Sequence, residues 1–270
     1  MRHDQTMTLR KLLLTGAAGN LGRVLAPDLA SLCDELVLSD LPASLDKHGI
    51  QGVGCDLADA DAVEALMQGV EAVVHLGGVS VEGPFEPILQ ANLRGVHNLY
   101  ESARRQGTRR IVFASSNHVI GCARQGQKLK PDCEPQPDGN YGVSKLFGEG
   151  MARLYWDRYG IESVCLRIGT ALPEPIDRRS LSTWLSPRDL FGLIRASLTA
   201  PNVGFTLAYG NSANPRAWWD SSEAWARLGF VPQDSAEPWA AQLESIHPPE
   251  DSLAAQMQGG GFLNMGPYDR

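Results

Sequence analysis

Near its start the chain passes directly from an apolar run into a glycine-punctuated turn and then into an amphipathic segment, and few folds accommodate that order. Lys11-Leu-Leu-Leu-Thr15 reads as a buried strand, and Thr15-Gly16-Ala17-Ala18-Gly19-Asn20-Leu21-Gly22 follows it without a linker. A glycine at the strand exit, Gly16, permits a tight turn. Gly19 lets backbone N–H groups approach a pyrophosphate, and Gly22 lets the next helix pack close to the sheet. The helix that opens at Asn20 and Leu21 then aims free N–H donors and a favourable dipole at the anion. Three spaced glycines alone are a weak signal. A strand before them and a helix after them supply the context that a dinucleotide-binding turn requires.

The remainder of the pattern agrees. Strands are expected over 11–15, 35–39, 52–55, 72–76, 110–114, 163–168 and 205–209, with helices over 21–32, 60–68, 85–106, 141–159 and 187–200. Runs such as Arg110-Ile-Val-Phe-Ala114 are apolar almost throughout, as in parallel strands covered on both faces. Strand–helix alternation at this spacing predicts a Rossmann-type, doubly wound α/β sheet. The pattern weakens after about residue 170, so the last hundred residues are expected to form a small substrate-capping lobe. With 43% hydrophobic residues, 270 residues suffice for one core over 9–270. Residues 1–8 are expected to be a loose tail.

Composition removes several function classes. A net charge of −7 is a poor match to nucleic acid or an anionic membrane, and no apolar run reaches the roughly 18 residues of a span. The five cysteines include no Cys-x-x-Cys pair and the six histidines do not cluster, so reduced thiols in a cytoplasmic protein without a metal are expected. The second strand ends at Asp40, 18 residues after Gly22. Its carboxylate either accepts from the adenosine ribose, which favours NAD over NADP, or caps a turn. Arg23 nearby weakens the exclusion of NADP. Asp56 and Leu57, after the third strand, and Leu76, Gly77 and Gly78, after the fourth, fall along the same crevice. Asn92 is either a surface amide or a structural group near it.

Tyr141-Gly-Val-Ser-Lys145 places a phenol and an ammonium one turn apart on one helix face. The ammonium is expected to favour the phenolate, which then takes a proton from a substrate hydroxyl as hydride leaves the same carbon. The run Ala114-Ser-Ser-Asn-His118 ends a buried strand in polar groups at the carboxyl edge of the sheet, where such folds bind ligands. Ser116 is placed to orient the reacting oxygen.

As a set and in this order, the glycine turn, Asp56-Leu57, His75-Leu-Gly-Gly78, Ser115-Ser116 and Tyr-x-x-x-Lys resemble the extended branch of the short-chain dehydrogenase/reductase superfamily, from about residue 10 to beyond 210. A narrower likeness lies in Gly77-Gly-Val-Ser-Val-Glu82, Ala114-Ser-Ser-Asn-His118, Arg167-Ile-Gly169 with Pro173-Glu-Pro175, Arg179 before Leu181-Ser-Thr-Trp184, and Trp218-Trp219. These segments are similar to bacterial uronate dehydrogenases, which oxidise D-galacturonate and D-glucuronate at C1 with NAD to the aldarolactone. The resemblance implies that Tyr141, Lys145 and Ser116 are catalytic and that Ile168 adjoins the cofactor. It implies that Ser80, Asn117, His118, Thr170 and Arg179 line a sugar site with Ser116 and Tyr141. Gly121-Cys122 lacks the tyrosine that many extended members carry before the glycine, which argues against a general sugar-nucleotide enzyme. A guanidinium suits a uronic carboxylate, and Arg178 competes with Arg179 for that role. The rival readings are a sugar-nucleotide epimerase or dehydratase, another sugar dehydrogenase, and a non-catalytic dinucleotide sensor. A homo-oligomer is expected.

Overall fold

The computed structural model describes residues 8–268. The expected N-terminal tail, residues 1–8, lies outside the described residues except for Thr8. Seven parallel strands form the main sheet: β1 (Leu9–Thr15), β2 (Cys33–Asp40), β3 (Val53–Gly54), β4 (Ala72–His75), β5 (Arg110–Ser116), β6 (Glu162–Ile168) and, last in the chain, β9 (Phe205–Gly210). Their order is β3-β2-β1-β4-β5-β6-β9, and a ribbon of β7 (Thr170–Ala171) with β8 (Trp184–Leu185) lies apart. The order reverses between β1 and β4. At such a switch point the connections leave to opposite faces and open a crevice at the strand C-termini.

Leu12, Leu13 and Leu14 of β1 show why the sheet is buried on both sides. Side chains alternate along a strand. Leu12 and Leu14 enter one core with Leu25 and Leu29 of α1 (Asn20–Leu29) and with Leu190, Leu193 and Ile194. Leu13 enters the other, with Val63, Leu99 and Ala152. These come from α3 (Ala60–Leu66), α5 (Gly95–Gln106) and α6 (Asn140–Tyr159); the helix α8 (Pro187–Thr199) covers the first face. Between α1 and α3 a short α2 (Pro42–His48) follows β2, where no helix was expected.

The single helix expected over 85–106 is three pieces. A short α4 (Phe85–Ile88) runs into a π-helical stretch, Leu89–Arg94, and then into α5. The wider turn holds Asn92, and such bulges reorient a side chain without ending the helix. Beyond β6 come α7 (Ser180–Thr183) and α9 (Ser222–Leu228). Leu181, Trp184, Ala236 and Leu243 make a small apolar cluster of their own there. The segment after 248 contains a helical turn, Leu253–Gln256, and a 3-10 turn, Gly260–Asn264.

Candidate active site

A cleft of about 630 Å³ runs along the carboxyl edge of the sheet, from the glycine turn to Tyr141, Arg179 and Phe262. Its glycines are required by contact. Gly16 has φ +73°, and a Cβ there would lie 2.7 Å from Gly77 N. A Cβ on Gly22 would run into the Gly16 carbonyl. Among the described residues no side chain caps the N-terminus of α1, so its first N–H donors are open to an anion. Asp40 borders this end of the cleft. Its carboxylate accepts from Ala18 N (2.9 Å) and Leu41 N (2.8 Å), which ties the glycine turn to the end of β2.

At the other end, Ser116, Tyr141 and Lys145 converge. The first turn of α6 is held by Glu82, whose carboxylate accepts from Asn140 N (3.1 Å) and Tyr141 N (2.8 Å). The buried Lys145 donates to the Ala114 carbonyl (2.8 Å), and its Nζ lies 5.5 Å from the centre of the Tyr141 ring. Burial pulls the ammonium down to about 8. Burial also pushes the Tyr141 phenol up to about 12; the Ser116 hydroxyl beside it works the other way, and the charge of Asp138 adds to the rise. The expected pull of the ammonium toward the phenolate does not outweigh burial in the free protein. Burial dominates, because removing a phenolate from water costs more than these neighbours return. His75, at the end of β4, is no proton group at working pH, since burial and then the Lys145 charge push it down to about 3.

Arg179 projects into the cleft. Its Nε donates to the Gln258 carbonyl (2.7 Å) and its Nη1 to Thr170 Oγ1 (3.1 Å). With the Asn117 amide turned to satisfy both neighbours, Nη2 donates to Asn117 Oδ1 (2.9 Å) while the Asn117 amide nitrogen donates to the Ile168 carbonyl (3.1 Å). All three partners are neutral. Burial pulls this guanidinium downward, against the charges of Asp177 and Asp138, but an arginine stays cationic in proteins. Arg178 differs. It is paired with Glu250 at 2.7 and 2.9 Å on the surface, so its anion is already supplied.

The model of the NAD dependent epimerase/dehydratase family matches residues 12–182. The chain is 48% identical over 271 residues to a uronate dehydrogenase of Pseudomonas syringae pv. tomato, covering 98% of each. It is 48% identical over 259 residues to a uronate dehydrogenase of Agrobacterium fabrum, covering 95% of this chain and 97% of that one. The crystal structure of a uronate dehydrogenase from Agrobacterium tumefaciens superposes with a TM-score of 0.92 at 47% identity, covering 98% of this chain and all of that one. A tyrosine-to-alanine variant of the enzyme from that organism, complexed with NAD, gives the same TM-score at 46% identity, covering 97% and 100%. The chain belongs to the uronate dehydrogenase family.

Against this family background the expected site residues divide into two groups. Gly16, Gly19, Asn20, Leu21, Gly22, Asp40, Leu76, Gly78, Ser80, Ser116, Asn117, His118, Tyr141, Lys145, Ile168, Thr170 and Arg179 line one continuous cleft. Asp56, Leu57, Gly77 and Asn92 are not among its lining residues. Asp56 accepts from Ala58 N, Leu57 packs against Gly77, and Asn92 is buried. The Asn92 amide accepts from Val79 N (2.8 Å) and donates to Val79 O (2.9 Å) and Ser144 Oγ (2.8 Å). It therefore fastens the loop after β4 to α6. Four site features had no local sequence signal: the Glu82 cap, Asp138 beside His118, Phe262 stacked on the His118 ring, and Gln258 behind Arg179. Each joins residues 20 or more positions apart in the chain.

In this uronate dehydrogenase family member the platform beneath the reacting groups is ionic. Glu149 of α6 and Arg167 of β6 form a bidentate pair (2.9 and 2.8 Å) with side chains 5% and 2% exposed, and Ser115 Oγ donates to the same carboxylate (2.6 Å). Glu149→Gln leaves Arg167 buried without its anion. The expected loss is about 3–5 kcal/mol of folding stability, read by urea unfolding. A loss below about 1 kcal/mol would mean that Arg167 is neutralised elsewhere.

Proposed function

We propose that this chain oxidises a hexuronic acid, D-galacturonate or D-glucuronate, at C1 with NAD, giving the aldarolactone. The observation that carries the reading is Arg179, a cleft-lining guanidinium with only neutral partners, beside Ser116, Tyr141 and Lys145. A half-buried guanidinium whose hydrogen-bond partners are all neutral favours an anion in the cleft. The carboxylate is what distinguishes a uronic acid from a neutral sugar.

The residues present fit a dinucleotide. The cradle at Gly16 and Gly22 admits backbone where any side chain would collide, and the α1 N-terminus is open. Gly16, Gly19, Asn20, Leu21 and Gly22 would hold the pyrophosphate, Asp40 the adenosine ribose, and Leu76, Gly78 and Ile168 the nicotinamide half. When bound, NAD supplies the two-electron acceptor.

The chain's own groups do the rest. Arg179, with Asn117 and Thr170 fixing its fork, binds the carboxylate and sets the ring orientation; Ser80 and His118 complete the sugar site. Ser116 donates a hydrogen bond to the oxygen on C1 and presents its proton to Tyr141. Lys145 stabilises the Tyr141 phenolate, which takes that proton and becomes the phenol. The segments after residue 170 act as the substrate lobe, since Thr170, Arg179 and Phe262 wall the cleft. No helix among the described residues is long and apolar enough to cross a membrane. A cytoplasmic setting is supported by five unpaired cysteines. A homo-oligomer is supported by the exposed apolar side chains of Val81, Phe85 and Val143.

The test is NADH formation at 340 nm with galacturonate, glucuronate, galactose and glucose. Turnover of both uronates with little on the neutral sugars is expected; no turnover of any uronate overturns the reading. Asp40→Ala is expected to weaken NAD binding roughly 10- to 100-fold, because two charge-assisted hydrogen bonds that hold the turn are lost along with the ribose acceptor. It should also narrow the preference for NAD over NADP. Unchanged dissociation constants by fluorescence titration would remove Asp40 from the site.

A further inference from the structure

Asp138 follows a proline-rich connection and touches the cleft only through another residue. Its side chain is fully buried, and one carboxylate oxygen lies 2.6 Å from His118 Nδ1. Its other oxygen has no hydrogen-bond partner among the described residues. A carboxylate can only accept, so the proton between them belongs to Nδ1. The ring is held on two further sides. Phe262 stacks on it with centroids 3.8 Å apart and planes at 12°, and Tyr141 meets it edge-on with centroids 5.7 Å apart. Space for the carboxylate is made by Gly121 and Gly259, from two separate segments; a Cβ on either would collide with it. His118 lines the cleft, and among the described residues its Nε2 has no hydrogen-bond partner yet is not fully buried.

We propose that Asp138 is a positioning residue for the sugar: it holds His118 with the ring proton on Nδ1, so that Nε2 faces the cleft as the acceptor for a substrate hydroxyl. Clamping both edge and face of one imidazole at the cost of a buried carboxylate gives the ring a single orientation and a single tautomer. The sugar contact rests on the uronate reading above, whereas the tautomer does not. Asp138 also acts by charge on Tyr141 and Arg179, so its route through His118 must be separated from those effects.

The test is Asp138→Asn, close in shape, examined in two ways. Nitrogen-15 NMR of the free protein, with the His118 resonances identified by their loss in His118→Asn, reads the tautomer. A proton on Nδ1 in the wild type and none in Asp138→Asn, where the amide turns a donor toward the ring, is the expected result. Any other pattern overturns the proposal, whether or not a uronate is turned over. In steady-state kinetics with saturating NAD, Asp138→Asn is expected to raise KM for the uronate roughly ten-fold with a smaller change in kcat. In a His118→Asn background the same substitution should change KM less than two-fold. A full ten-fold effect in that background, or none in the wild type, overturns the route through His118.

Discussion

Tyr141→Phe is expected to lower kcat by about 10²–10⁴-fold while the dissociation constant for NAD stays within a few-fold of wild type. The ring is buried and packs edge-on to His118, so phenylalanine preserves the packing and deletes only the oxygen. That oxygen carries the proton step. Burial holds the phenol at about 12 in the free protein, whereas the reaction needs the phenolate. Oxidation should therefore speed up as pH rises, over a range set by what pulls the phenol down in the complex. Two positive charges do so, the Lys145 ammonium and the nicotinamide ring of bound NAD. Lys145→Met removes the first, and its activity limb is expected at higher pH than that of the wild type. Stopped-flow and pH–rate measurements on the three proteins check both statements. Activity of Tyr141→Phe within a few-fold of wild type would assign the proton to another group, such as His118, whose ring centre lies 5.7 Å from that of Tyr141.

Arg179→Ala is expected to lower kcat/KM for the uronates by about ten- to a hundred-fold, corresponding to roughly 1.5–3 kcal/mol for a charge-assisted contact. The effect on galactose and glucose should be much smaller, so the gap between acid and neutral sugar closes. Misplacement of the ring adds to the loss, since Arg179 also braces Asn117 and Thr170. Arg178→Ala should alter neither sugar appreciably, because its guanidinium is held by Glu250 outside the cleft. Kinetics of the wild type and both variants on acid and neutral sugars at saturating NAD decide between the two arginines. A collapse of the preference in Arg178→Ala alone would assign the carboxylate clamp to Arg178.

The doubly wound sheet, the glycine turn, the position of Asp40 and the Tyr141–Lys145 pair were all legible in the sequence. Each is a short-range pattern: an alternation of apolar runs, glycines at strand and helix junctions, or two side chains one helical turn apart. The choice between Arg178 and Arg179 was not legible, because adjacent residues share every local signal. Only the fold shows that one meets Glu250 and the other meets neutral groups from three segments. Likewise, Asn92 sits in a π-helical turn rather than on a regular helix, and its amide is spent on Val79 and Ser144. The pull of burial on Tyr141, the Glu82 cap, and the Asp138 and Phe262 contacts to His118 depend on residues from 20 to more than a hundred positions apart. The sequence by itself determined which chemical groups stand at the carboxyl ends of the strands, since strand and helix periods set that. Tertiary structure alone decided their charges, tautomers and partners, because those depend on what is excluded from water and on which distant side chain arrives beside them.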